Sequence, residues 1–359
     1  MIKVYQKYLI KKFLRKLFQV SLVFLSLIII LNIFEEISYF KDIEINFYFP
    51  LLLTFLNSPS ILFEIFPFIF LISSLLVFLE LIDKNELEVF KVNGLSNLKV
   101  IKVLFFASFF IGLFLVVFYY NLSSKAKFLY LELKNNHSKD DKYLAMVTEN
   151  GIWIKDEFNG NLYIINAKRI RKEYLENVLI SEFDQKFDLI RMIKSPIINI
   201  ANKKWVISNS VIYEQNKLLI KNKTIRLNTH FNQKKINEMF GDLSSLNILE
   251  LRKLDDDYDK LGYSTMEIRS HLNKIFSLPV YLSIMTIFSS IIMLNIKKNK
   301  PMIFYLILSV FLSVVIYYFN YLFNLLGENG KLPIHISTWA PLFLLTIFIL
   351  IGLVRVNEK

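Results

Sequence analysis

The chain contains no cysteine, so disulfides, thiolate catalysis and cysteine-ligated metal centres are excluded. Histidine is scarce, at four in 359 residues. His137, His230 and His271 stand far apart, without the spacing of a ligand set. A Walker-type phosphate loop is absent, so this chain offers no seat for ATP chemistry. The polar residues show neither an acid pair nor a Ser–His–Asp set. The net charge of +12 is read first as membrane topology, not as nucleic-acid binding.

What is present in quantity is apolar sequence. Hydrophobic residues make up 54% of the chain, including 34 Phe, which is high for a soluble protein. The runs decide more than the mean, because a spanning helix needs ~20 mostly apolar residues. Six qualify: Leu17–Phe34, Ile61–Ile82, Val103–Tyr120, Ile275–Ile296, Met302–Leu326 and Trp339–Val354. Ile334–Ser337 extends the last across Pro341. In a bilayer every backbone polar group must be paired, so these runs are expected as helices. The first is too long for a signal peptide and has no small-x-small cleavage site after it.

Charge alternates between the loops. Lys3, Lys7, Lys11, Lys12, Arg15 and Lys16 precede span one without an acid. The next loop carries Glu35, Glu36, Asp42 and Glu44 against Lys41 alone. Lys84, Lys91, Lys99 and Lys102 follow span two, and Lys297, Lys298 and Lys300 follow span four. Only Lys331 and Glu328 lie after span five, and Arg355 and Lys359 end the chain. The positive-inside rule then puts both termini in the cytoplasm and the central polar block outside, in the periplasm of a Gram-negative cell.

The expected fold class is an α-helical membrane protein with six transmembrane helices, three before and three after an inserted periplasmic all-β domain. Residues 1–120 hold the N-terminal helix and spans one to three, with a short cytoplasmic helix in 83–95. Residues 121–274 form the inserted domain with connecting helices, and residues 275–359 hold spans four to six.

Val4–Lys16 reads either as an amphipathic helix at the inner interface or as a plain basic anchor. Phe47–Leu56, interrupted by Pro50 and followed by Pro59, suggests a short interfacial helix. Glu64, in span two, either snorkels or caps a helix, or else faces a polar cavity. Asn85–Val92 is helical, with Gly94 expected in the left-handed position that closes it and Ser96 as cap of the next helix.

In the polar block, Ser123–Asn136 is helix-like. Tyr143–Thr148 and Gly151–Lys155 suggest a hairpin around Asn150-Gly151. Short strands are expected at Asn161–Asn166, Val178–Phe183, Phe187–Ile193, Ile197–Ile200, Lys204–Ser208 and Val211–Glu214, in an antiparallel sandwich or roll. Trp153 and Trp205 are expected as core or rim anchors. Asn247–Leu261 is an amphipathic helix stopped by Gly262, and Ser264-Thr265-Met266-Glu267 reads as a capping box. The helix it starts runs into span four, with Pro279 as an expected kink.

Together these stretches resemble the lipopolysaccharide-export permease family, the membrane subunits of an ABC transporter. Lys7-Tyr8-Leu9 is similar to the family's start, and Pro59 and Pro67 bracket the beginning of span two. Glu86-Leu87 with Asn93-Gly94-Leu95-Ser96 resembles its coupling segment. Gly151-Ile152-Trp153-Ile154, Ile164-Ile165-Asn166-Ala167, Leu261-Gly262-Tyr263-Ser264 and Leu278-Pro279 are similar to the LptG type. Leu332-Pro333 and Thr338-Trp339-Ala340-Pro341 complete the pattern.

The resemblance implies a homologous second permease subunit, a cytoplasmic P-loop ATPase dimer that alone binds ATP and Mg, and lipopolysaccharide entering between spans one and five of the pair. It implies a jellyroll form for the inserted domain, which joins a periplasmic jellyroll bridge protein with a single membrane anchor. It implies ATPase coupling through Glu86, Leu87, Phe90 and Gly94, and no cofactor on this chain. Asn32, Glu36, Lys41, Glu64 and Phe319 become candidates for the substrate cavity or its lateral gate. Where LptG-type members carry a substrate-facing lysine late in span one, this chain has Asn32, then Glu35 and Glu36. The alternatives are the LptF-type subunit or a permease for another lipid, a periplasmic-bridge scaffold, and an intramembrane enzyme, against which Glu64 and Glu80, the only acids well placed within the spans, form no recognisable catalytic pair.

Overall fold

The computed structural model describes residues 3–41, 46, 48–137, 152–158, 160–171, 173–214, 217–233, 236, 242–261, 263–295 and 302–357. The chain divides into two compact units, Met1–Ala126 with Thr265–Lys359, and Lys127–Ser264.

The first unit is helical. It contains α1 (Val4–Tyr39), α2 (Tyr48–Asp83), α3 (Glu86–Val92) and α4 (Asn97–Phe114). A π-helical turn, Leu115–Tyr119, leads into α5 (Tyr120–His137), within which the unit boundary falls. Past the second unit come α7 (Met266–Leu294), α8 (Met302–Glu328) and α9 (Ile334–Asn357). Six helices among the described residues are long and apolar enough to cross a membrane, in the expected 3+3 arrangement.

Two helices exceed the expectation. The basic stretch Val4–Lys16 continues without a break into span one, as α1 of 36 residues. Phe47–Leu56 is not a separate helix: from Tyr48 onward it is the start of α2, also 36 residues. Pro50 lies in the first turn, where no intrahelical donor is needed. Pro59 and Pro67 sit inside α2. In an apolar medium a broken helix would leave several backbone groups unpaired, which is worse than one lost bond per proline. Each helix is ~54 Å long at ~1.5 Å per residue, well beyond a ~30 Å hydrocarbon core.

α7 is the hub of the helical unit and packs against α2, α4, α8 and α9. Its contacts are small and hydroxylic, as close packing in lipid requires. Ser108 and Thr286 hydroxyls meet at 2.8 Å, and Ser74 Oγ donates to Thr286 O at 3.1 Å. A Cβ on Gly112 would lie 2.7 Å from Pro279 Cα, so only glycine lets α4 approach that closely. Apolar clusters of Leu71, Met285 and Ile316, and of Ile284, Leu342 and Ile349, fill the rest.

Two expected caps are simpler than the sequence suggests. Ser96 occupies the N-cap position of α4 but makes no side-chain cap bond. Thr265 is the N-cap of α7, likewise without one.

The second unit holds a six-stranded antiparallel sheet in sequential order: β1 (Ile152–Phe158), β2 (Asn161–Arg171), β3 (Tyr174–Phe183), β4 (Leu189–Asn199), β5 (Lys204–Glu214) and β6 (Lys217–Asn228). A hairpin on Asn150-Gly151 lies outside the described residues; β1 pairs forward with β2. The separate strands at Phe187–Ile193 and Ile197–Ile200 are one strand, β4. Ser195 spans the Pro196 interruption: its hydroxyl donates to Ser208 O at 2.6 Å and accepts from Ile197 N–H at 3.3 Å. Lys204–Ser208 and Val211–Glu214 likewise merge into β5, across a register shift near Asn209, whose φ is +53°.

One face of the sheet is buried. Ile154, Ile165, Ile180, Ile193 and Ile212 pair in a row across five strands and are each at most 5% exposed. Trp205 is fully buried, and its indole N–H donates to Phe231 O at 2.9 Å. Trp153 is not in the core; it is 53% exposed. Ile152 and Ile154 take the inward positions beside it, and strand alternation turns Trp153 outward. In the same unit α6 (Ile248–Leu261) starts on a reciprocal capping box. Asn247 Oδ1 accepts from Glu250 N–H at 3.0 Å, and Glu250 Oε2 accepts from Asn247 N–H at 2.9 Å.

Candidate functional site

α3 is one turn longer than the minimum for a helix and cannot hold itself together. Its ends and one side are therefore fixed from outside. At its C-terminus Gly94 adopts φ +74°. Leu95 N–H donates to Phe90 O and Gly94 N–H to Lys91 O, both at 2.9 Å. That is the Schellman pattern, and a left-handed glycine is what it needs.

The other restraint is a cluster of charges on α1 and α2. Tyr8, Lys12 and Lys16 are spaced four apart and share one face of α1. Lys12 Nζ lies 2.8 Å from Glu86 Oε2 and 3.5 Å from Glu80 Oε1. Lys16 reaches Glu80 at 3.2 Å, and Lys84 reaches it at 2.8 Å. The Tyr8 hydroxyl accepts from Lys12 at 3.1 Å and donates to Glu86 at 2.8 Å. Lys12 is nearly buried, with its side chain 7% exposed against 22% for Glu86, so the pair is poorly screened. Leu87 is buried, and Phe90 meets the Tyr8 ring edge-on at 6.5 Å between centroids.

The result is a short helix pinned by Glu86, Leu87 and Phe90, with its other side open. Val89 is 57% exposed and Val92 88%. α3 thus presents two exposed β-branched apolar residues on the side away from its anchors.

The other candidates lie elsewhere. Asn32 and Glu36 are buried on one face of α1. Asn57 of α2 donates to Asn32 Oδ1 at 3.2 Å, so that face is turned toward α2. Lys41 is exposed two residues past the end of α1. Glu64 is exposed on α2, four residues before Phe68, whose ring lies 5.4 Å from that of Tyr317 on α8. Phe319 is 36% exposed on α8, with its ring 4.8 Å from that of Phe323.

The sheet carries a second polar arrangement that sequence reasoning missed. Asp156, Tyr163, Glu182 and Arg191 pair in register across β1 to β4. Glu182 accepts from Asn161, Tyr163 and Arg191. Burial pushes the Glu182 carboxyl up, but those three donors together hold it below the ordinary carboxylate range. Asp156 accepts from Thr229 at 2.5 Å and lies 2.8 Å from His230 Nδ1. Each member has a partner, which marks a structural network.

Among the described residues no group of three or more His, Asp or Glu could hold a metal ion. Comparison with curated proteins finds no match. The profile of the family described as Lipopolysaccharide export system permease LptF/LptG matches residues 7–355, nearly the whole chain. With six spans, an inserted β domain and that match, the chain belongs to the lipopolysaccharide export system permease LptF/LptG family.

Proposed function

We propose that this chain is the LptG-type permease subunit of an ATP-driven lipopolysaccharide exporter. It acts in the inner membrane, with both termini cytoplasmic and residues 127–264 in the periplasm. The observation that carries this reading is the uneven burial of the spans. Within the chain, 17% of the apolar window is buried in span one and 22% in span five, against 61% in spans two and four. Spans one and five therefore leave most of their apolar surface for a partner or a lipid. On α8 the stripe Ile303, Ile307, Phe311, Val315 and Tyr318 is exposed. A homologous second permease subunit facing these two spans encloses a cavity suited to acyl chains.

α3 faces the lysine-rich, cytoplasmic side and docks on a P-loop ATPase dimer, which supplies ATP and magnesium chemistry. Glu86 acts here as a positioning residue, and Val89 and Val92 are the contact. The sheet, a jellyroll in this reading, hands the lipid to a singly anchored periplasmic jellyroll bridge protein. The test is transfer of lipopolysaccharide out of proteoliposomes that contain this chain with its co-purified partners. ATP-dependent release supports the proposal. Release that ignores ATP, or retention of lipopolysaccharide while another lipid is exported, counts against it.

A further inference from the structure

A groove of about 550 Å³ runs between α1 and α4, and none of Tyr8, Lys12, Lys16, Glu80 and Glu86 lines it. Ile10 and Leu14 of α1 line it, opposite Phe106 and Phe110 of α4. At one end stand Lys99 and Lys102, both exposed. No acidic residue is in the lining. Lys99 Nζ is held by the carbonyl of Gly94 at 3.2 Å, at the turn that closes α3. From Lys99 to Phe110 the helix rises about 17 Å at ~1.5 Å per residue, close to half of a ~30 Å hydrocarbon core. The groove is thus about as long as one leaflet is deep, with mostly apolar walls and its two cationic groups at one end.

We infer that this groove is a binding site for one anionic membrane phospholipid, with its phosphate at Lys99 and Lys102 and an acyl chain between α1 and α4. The site rests on the membrane placement of these helices and not on what the protein transports. A zwitterionic lipid would fill the same walls but gain little from the lysines. Near a membrane surface each lysine contributes about a fivefold preference for a negative headgroup.

The test uses the purified complex in nanodiscs of equal phosphatidylglycerol and phosphatidylethanolamine with matched acyl chains, and counts retained lipid by native mass spectrometry. Wild type is expected to retain phosphatidylglycerol by about 25-fold over phosphatidylethanolamine, from about fivefold for each of the two lysines. The Lys99→Gln/Lys102→Gln variant falls to near parity, and Lys11→Gln, outside the groove, keeps the preference. Ala107→Phe, which fills the groove without touching its charge, loses both lipids, so the inference stays testable if the double variant assembles poorly. Parity in wild type, an unchanged preference in the double-lysine variant, or undiminished lipid in Ala107→Phe overturns it. So does displacement by lipopolysaccharide as efficient as by phosphatidylglycerol itself, because the groove would then be a substrate site.

Discussion

Lys12 and Glu86 are 74 residues apart in sequence, and their charged groups meet at 2.8 Å where α1 passes the first turn of α3. The bond fixes a seven-residue helix to a 36-residue one, and the first prediction tests it. Lys12→Met leaves Glu86 with Tyr8 alone. Loss of a charge-assisted bond at a poorly exposed site costs about 1.5–3 kcal/mol. Amide exchange across Glu86–Val92 should accelerate by roughly one to two orders of magnitude. Lys12→Arg, which keeps the charge facing both Glu86 and Glu80, should retain much of the protection. Unaltered exchange in Lys12→Met would mean that α3 is held by Leu87 and Phe90 alone.

Gly94→Ala tests the other end of α3. Nothing lies within 4 Å of where its Cβ would stand, so the cost is conformational only, about 1 kcal/mol for a left-handed residue. Exchange in α3 should rise by about fivefold. Gly94→Asn, which tolerates this conformation better, should rise less. Equal effects of the two would point to a lost contact instead.

Gly112→Ala should destabilise the helical unit. The added methyl meets Pro279 backbone at 2.7 Å, so α4 and α7 must separate, at a cost of about 1–3 kcal/mol. Gly352→Ala meets side-chain atoms of Ile291 alone, the nearest at 2.8 Å, and no backbone, and should cost less. Thermal unfolding in mild detergent orders the two. Gly352→Ala as the more harmful would contradict the packing.

The β unit should weaken in acid. Glu182 is held below its ordinary value of 4.5, so its contribution is complete above that value and is lost as pH falls through the lower folded value. Glu182→Gln should flatten this dependence while lowering stability at neutral pH. Trp205 fluorescence, in a full-length chain carrying Trp153→Phe and Trp339→Phe, reports the unfolding. An acid transition of equal size in Glu182→Gln would place its origin elsewhere.

The spans were legible because each is a long apolar run, and Ile334–Ser337 does extend the last one across Pro341. Gly94 was legible because a glycine after a helical pattern has one common use. The merging of Phe47–Leu56 into α2 was not, because Pro50 reads as a break unless its place in the first turn is known. β4 and β5 each looked like two strands, since Ser195-Pro196 and Asn209 interrupt the local pattern. Only pairing with neighbouring strands carries the chain across. β6 went unread because Lys217, Lys221 and Lys223 mask its alternation, a common feature of edge strands. The partners of Glu86 were not legible either. Tyr8, Lys12 and Lys16 show their common face at a spacing of four, but nothing local says that face meets α3.

The central claim is that α3 couples this permease to a cytoplasmic ATPase through Val89 and Val92. The direct measurement is a gentle detergent pull-down of the full chain from native membranes, with partners identified by mass spectrometry. Wild type should bring down a P-loop ATPase and a second six-span permease. Val89→Asp/Val92→Asp should lose the ATPase and keep the second permease. Retention of the ATPase by that variant, or its absence from the wild-type sample, would contradict the claim.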